Sequence, residues 1–521
     1  MSEWRQQAIT LKDADGWDAL LDWCSRWTKI EPEDAEAWRN LGDAYFGLDR
    51  YPEATEAYRR ALKITPDNGD TWNALGRVYY DLKRGTEAVE AFQNALRINP
   101  NDSGIWCILG GSFILLKQHS EAVHAYRQAL EINPDYAAIW YCLGACCRFL
   151  ENYPEAVDAY QRAVKIGPEL FDAWHELGVT FLDLESYREA INALLQALEI
   201  HPDNADVLYA LGAAYSDLEC YPEAIESYQE ALKNNPEHAS TWHNLGGIYI
   251  AIERYDDALK AFKRALKINP YDASIWSGIG LAYHSCKCYA EAIESYLQAI
   301  KIDPDSFDNL YNLGLAYYDL ENYIEAIDAF QRGIQSNQDN TTIWKNLGDA
   351  YARLERYDEA IDAYRQALQI DRENAVAWHE LGIAYSESER YPASIDAFNK
   401  ALQIDPDMDD AWFNLGVVYD DLERYADAID SYQQALKINP FSAKSWGNMG
   451  IDYGKLERYA EAIKSYRRVL EIDPDNAGIC YSIGYAYLLS GNKSAAMEFV
   501  EKLQTLDLKL AFMLRYKISP D

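Results

Sequence analysis

Glycine recurs every 34 residues: Gly42, Gly76, Gly110, Gly144, Gly178, Gly212, Gly246, Gly280, Gly314, Gly348, Gly382, Gly416, Gly450 and Gly484. These fourteen are half of the 28 glycines in the chain. A fixed period of this length means one supersecondary unit repeated along the polypeptide. With residue 35 as position 1 of a unit, the glycine is position 8. Position 4 is tryptophan in most units, from Trp38 to Trp446, with Leu208, Leu310 and Cys480 as departures. Position 11 is mostly tyrosine, position 20 is alanine except Ser394, and position 24 is Tyr or Phe except Leu194 and Val500. Position 32 is proline from Pro66 to Pro304, fails at Gln338 and Arg372, and returns at Pro406, Pro440 and Pro474.

Positions 4, 7, 8 and 11 share one face of a helix, and 17, 20, 24 and 27 share one face of a second. Proline at 32 cannot continue the second helix. Asp67-Asn68, Asp203-Asn204 and Asp475-Asn476 each offer a side-chain cap to the next helix. Each unit is therefore expected to be a helix–turn–helix hairpin stacked on its neighbours. A glycine inside a helix costs ~1 kcal/mol relative to alanine, so packing must compensate. The expected cause is close approach of the two helices at Gly 8 and Ala 20, flanked by the Trp and Tyr of positions 4 and 11.

The frame divides the chain into a degenerate N-terminal capping repeat (1–34, with Trp4 and Pro32 in register) and thirteen units over 35–476. A divergent unit follows at 477–510, and 511–521 ends a covering helix and tail. The repeats consume the chain and leave no room for a catalytic domain, so no enzyme activity and no cofactor are expected. The 48 basic and 84 acidic residues give a net charge of −36, which argues against a nucleic-acid partner, because binding phosphates needs clustered Lys and Arg. No run approaches the ~18 apolar residues of a membrane span, and Met1-Ser2-Glu3-Trp4-Arg5-Gln6 does not read as a secretory signal. Nine scattered cysteines suit a reducing, cytoplasmic location. Cys142 and Cys146 lie four apart on one helix face with Cys107 a unit earlier, but no histidine is in register to complete a metal site. The run Asp405–Asp410 lacks the Gly and Glu of a calcium loop.

The run Trp412-Phe413-Asn414-Leu415-Gly416-Val417-Val418-Tyr419, followed by Ala428, Tyr432, Ala435 and Pro440, resembles the tetratricopeptide repeat (TPR) family, and the likeness extends over nearly the whole chain. It implies an all-α fold, an αα-hairpin solenoid wound as a right-handed TPR superhelix of roughly two turns, capped at both ends. It also implies a groove lined by the first helices that binds a partner protein, often as an extended peptide. The chaperone carboxylate clamp of some relatives is absent: Lys345 and Asp349 are followed by His379-Glu380 and Phe413-Asn414 without the required cations.

Three features of the implied groove face, positions 2, 5, 6, 9, 12 and 13, stand out. It carries seventeen acidic and seven basic residues over the fourteen units. Its acids, such as Asp70, Asp172, Asp81, Asp217 and Asp421, either solvate the helix ends and favour the helix dipole or attract a basic peptide. Units three and four are instead apolar there: Cys107, Ile108, Ile114 and Leu115, then Tyr141, Cys142 and Phe149. Such a patch marks either a ligand site or a self-association contact. Position 6 is asparagine at Asn40, Asn244, Asn312, Asn346, Asn414 and Asn448. This row is similar to the asparagine ladder of the repeat region of O-linked N-acetylglucosamine transferases, where side-chain amides hold a peptide backbone. Asn312, Asn346, Asn414 and Asn448 are the candidates for that role here. The expected function is a protein–protein interaction scaffold. A self-associating structural protein and a recruiting subunit of a glycosyltransferase complex are the alternatives.

Overall fold

A computed structural model describes residues 3–14 and 16–519. Among them there are 31 α-helices and no strand, joined by short turns. Two helices recur per 34-residue unit, as in Ala35–Gly47 with Tyr51–Ile64 and Ala443–Lys455 with Tyr459–Ile472. The chain is an αα-hairpin solenoid that divides into two compact units, Met1–Glu253 and Arg254–Asp521. Within each, every hairpin packs on the next, and many successive first helices also touch one another. Second helices do not approach each other to the same degree. The first helices therefore lie on the inner side of each stack.

The glycine at position 8 makes room for a ring. A Cβ on Gly42 would lie 2.5 Å from Tyr58, one on Gly76 2.6 Å from Phe92, and one on Gly348 2.5 Å from Tyr364. The position-24 aromatic of the same unit thus drives its edge into the first helix. The expected close approach also occurs: the buried Ser394 hydroxyl donates to the Gly382 carbonyl at 2.7 Å, so position 20 reaches the backbone of position 8. At Gly178 the seat is filled by Leu194. At Gly484, where position 24 is Val500, it is filled by Leu514 from the final helix Leu508–Ile518.

The tryptophans do more than pack beside that contact. The Trp38 indole N–H donates to the Pro32 carbonyl at 2.8 Å, Trp174 to Pro168 at 2.9 Å and Trp446 to Pro440 at 3.0 Å. Where position 32 is not proline the bond persists, from Trp344 to Gln338 and from Trp378 to Arg372, because only the carbonyl is used. Where this bond forms, position 4 clasps the unit to the loop that precedes it.

Helix starts and stops follow local chemistry. Asn68 accepts from the Thr71 N–H, Asn204 from Val207 and Asn476 from Ile479, satisfying otherwise orphaned donors. The first helices end with position 15 in the left-handed region, from Asp49 (φ 58°) to Glu457 (φ 58°), and Gly491 (φ 86°) in the last unit. Arg50 N–H bonds the Tyr45 carbonyl at 2.9 Å and Asp49 N–H the Phe46 carbonyl at 3.0 Å, the paired bonds of a Schellman ending.

At the N-terminal end, helices Glu3–Asp13 and Trp17–Ile30 build a small core around Trp27, with Trp4 stacked near it at 6.3 Å and against Trp23 at 4.6 Å.

Candidate functional site

The inner face is made by side chains at positions 2, 5, 6, 9, 12 and 13 of the first helices, with the hydroxyls of position 24 reaching it from beneath. The Tyr58 hydroxyl donates to Asp43 at 2.7 Å and that of Tyr364 to Asp349 at 2.8 Å. The Tyr228 hydroxyl accepts from the Asn244 amide at 3.4 Å, and the Tyr432 hydroxyl from Asn448 at the same distance.

These contacts bear on the asparagine row. Asn346 donates to the Tyr311 hydroxyl at 3.0 Å and Asn244 to that of Tyr209 at 3.2 Å. Asn414 Nδ2 lies 3.0 Å from His379 Nε2. Position 6 of one unit is thereby bonded to position 5 of the unit before it. Asn40 is only 5% exposed and donates to its own helix at Glu36. The amides join repeats, and each keeps a side-chain carbonyl and a second N–H.

Most basic residues of the face are likewise engaged, within their own helix or with an adjoining repeat. Arg148 pairs with Glu176 at 3.1 Å and Asp183 at 2.9 Å, both on the next unit. His284 meets Asp319 at 2.9 Å, Lys345 meets Asp349 at 2.6 Å, and Lys455 pairs with Asp420. Arg353 donates to the Tyr318 hydroxyl at 3.2 Å. Exposed Asp81, Asp217 and Glu387 at position 13 have no ion pair among the described residues. Each stands near the position-17 tyrosine of the preceding unit: Tyr51, Tyr187 and Tyr357 respectively. Partial desolvation, and then Glu185, push the Asp217 carboxyl upward. Desolvation and Asp420 do the same to Asp421. The face therefore holds unneutralised negative charge.

The apolar residues of units three and four lie on helices Ser103–Leu115 and Ala137–Phe149. Cys107, Ile114, Tyr141 and Cys142 are half-buried against the core of those units, and Ile108 against the one before. Leu115 packs at Gly85, which stands where most units have tyrosine. Phe149 alone is largely open, 67% exposed, with its ring stacked on His119 at 3.7 Å. The thiols gather around Tyr126. Burial raises Cys107 to about 11 and Cys146 to about 12, so these are protonated, poorly nucleophilic groups.

One opening in the face had no counterpart in the sequence reading. Between helices Ala205–Asp217 and Ala239–Ala251 a cavity of about 470 Å³ opens above the Tyr228 hydroxyl. Small residues at positions 9, 12 and 13 create it, a signal visible only when adjacent units are aligned pairwise.

Models of the tetratricopeptide repeat match residues 69–102, 137–170, 203–270, 311–375, 379–443, 443–476 and 477–509. A TPR repeat model matches 42–83, 110–146, 180–219 and 284–321. Among solved structures the chain is similar to YrrB, described as a TPR protein with an unusual peptide-binding site. That match has 23% identity over 36% of this chain and 96% of the other, with a TM-score of 0.33. MamA is similar at 25% identity over 31% and 95% of the two chains, with a TM-score of 0.30. A chain of the Naa15/Naa10 complex bound to HypK-THB is similar at 14% identity over 98% and 95%, with a TM-score of 0.38. No curated protein matches the chain significantly.

Proposed function

Since the chain belongs to the tetratricopeptide-repeat family, whose repeats serve as protein–protein interaction scaffolds, we propose that it holds an extended, basic segment of a partner protein along the inner face of its first helices. The observation that carries this reading is the unequal neutralisation of that face: Arg148 and Lys455 are paired with acids of adjoining repeats and Lys345 with Asp349 of its own helix, while Asp81, Asp217 and Glu387 have no ion pair among the described residues. Such a surface steers cations toward it and repels anionic chains.

Two further groups serve the same binding. Asn312, Asn346, Asn414 and Asn448 present amide carbonyls that can accept from a peptide backbone, with the amides of Asn346, Asn414 and Asn448 held in place by their neighbours. Phe149, on the same two units as the half-buried Cys107, Ile108, Ile114, Leu115, Tyr141 and Cys142, offers an apolar anchor at one segment of the face. Interface energy concentrates in a few aromatic anchors of this kind.

Selection from a random 15-residue peptide library, followed by stopped-flow binding of the winners, tests the proposal. Basic peptides should be enriched, and their association rate should fall roughly tenfold between low and physiological salt. Phe149→Ala should weaken binding by about tenfold or more. Winners without net positive charge, or rates indifferent to salt, would remove the electrostatic reading.

A further inference from the structure

The cavity between helices Ala205–Asp217 and Ala239–Ala251 is best understood from what fills the same place elsewhere in the chain. Position 12 of one unit faces position 9 of the next. In the second and third units these are Tyr80 and Gly111, and a Cβ on Gly111 would stand 3.1 Å from the Tyr80 hydroxyl. In the cavity the corresponding residues are Ser216 and Gly247, and a Cβ on Gly247 would meet nothing within 4 Å. The seat that a tyrosine side chain occupies above Gly111 is vacant above Gly247.

A second internal comparison concerns charge. Position 13 of one unit lies over the position-17 ring of the unit before. There Lys455 Nζ stands 4.7 Å from the centre of the Tyr425 ring and pairs with the Asp420 carboxylate. In the cavity the equivalent residues are Ala251 and Tyr221. The ring is present, the cation is missing, and Ser216 stands where Asp420 does; the acid at the rim is instead Asp217, one residue on, which makes no ion pair among the described residues. Tyr228 and Asn244 supply polar atoms at the base.

Extending the proposed function, and resting on it, we infer that this cavity is the subsite for one arginine side chain of the bound segment. The guanidinium replaces the missing lysine over the Tyr221 ring and pairs with Asp217. Its planar fork can also donate toward the Ser216 and Tyr228 hydroxyls. Arginine suits the site better than lysine because it is planar, stacks on aromatic faces and directs several donors at once. At about 470 Å³ the space admits the whole side chain with some water.

The test is a saturation-transfer NMR titration of the full chain with Nα-acetyl-arginine amide, and with its neutral isostere Nα-acetyl-citrulline amide. Two variants close the seat by different routes: Ser216→Tyr reproduces the arrangement above Gly111, and Gly247→Leu fills the space from the opposite helix. The arginine probe should bind saturably, weaken at least tenfold in each closing variant and severalfold in Asp217→Asn, and exceed the citrulline probe by at least tenfold. Circular dichroism of both closing variants identifies any loss of fold, and either one alone suffices. Equal binding of arginine and citrulline, or undiminished binding in a folded closing variant, would overturn the subsite. Library peptides that still bind a closed variant with unchanged affinity would remove the subsite and leave the wider groove reading intact. A library with no basic winners would remove the wider reading itself.

Discussion

Replacing Asp452 by alanine should stabilise the C-terminal repeats at alkaline pH and abolish a pH gradient in their stability. Asp452 occupies position 10, where Ala44, Ala214, Ala316, Ala350 and Ala384 are buried elsewhere. It is 1% exposed, and neither carboxylate oxygen has a hydrogen-bond partner among the described residues. Lys455 Nζ lies 3.6 Å from Oδ1 but is also engaged by Asp420 of the preceding unit. The Tyr432 and Tyr466 phenols stand near the same carboxyl. Burial first, and then the neighbouring Asp420 carboxylate, push Asp452 up to about 7. An aspartate in the unfolded chain titrates near ~3.9. Between these values the folded chain binds the extra proton, so stability is greatest at the acidic end and falls as pH rises toward 7. A separation of roughly three units at ~1.4 kcal/mol each gives about 4 kcal/mol as an upper figure. Repeat stacks respond to such a change locally. The measurement is therefore amide hydrogen exchange in helices Ala443–Lys455 and Tyr459–Ile472, with urea unfolding, at pH 5 and pH 8. Asp452→Ala should slow exchange at pH 8 by up to about 4 kcal/mol equivalent, and at pH 5, about one pH unit above the unfolded value, by no more than about 1.5 kcal/mol. Equal effects of the substitution at both pH values would refute the argument.

Glycines of one helix type should divide into two classes. Gly348→Ala drives a methyl to 2.5 Å from the Tyr364 ring and should cost about 1–3 kcal/mol. Gly447→Ala and Gly454→Ala, with nothing within 4 Å, should each gain about 1 kcal/mol; urea midpoints distinguish them. At position 15, Glu321 holds φ 62°, so Glu321→Gly should stabilise by about 0.5–1 kcal/mol. A lower melting temperature in that variant would show that the Glu321 side chain makes a compensating contact.

The period, the helices and the caps were legible because each rests on a local preference: glycine beside an aromatic, proline after a helix, Asn or Asp before one. The partner of the glycine was harder to read. Position 24 was visible as Tyr or Phe, yet only the structure shows that its ring, along with the near contact of position 20, fills the space at position 8. The left-handed turn at position 15 left almost no trace, since the Lys and Glu that fill it have no preference for that region and only Asp49 and Gly491 favour it. Trp38 and its equivalents looked like packing residues, whereas their indoles bond the preceding loop through a carbonyl, a group carried by every residue type. On the proposed binding face, the acids and Phe149 were recognisable by their chemistry. The Ser216–Gly247–Ala251 opening was not, because it consists of side chains that are missing at three positions on two helices.

The tryptophan clasp has a consequence for how the molecule comes apart. Leu208, Leu310 and Cys480 stand at position 4 without an indole, so the junctions before residues 205, 307 and 477 lack the bond that fastens their neighbours. In a linear array held by nearest-neighbour contacts, such junctions are expected to open before the clasped ones. Thermal opening should begin at these seams, while the runs of repeats between them stay ordered.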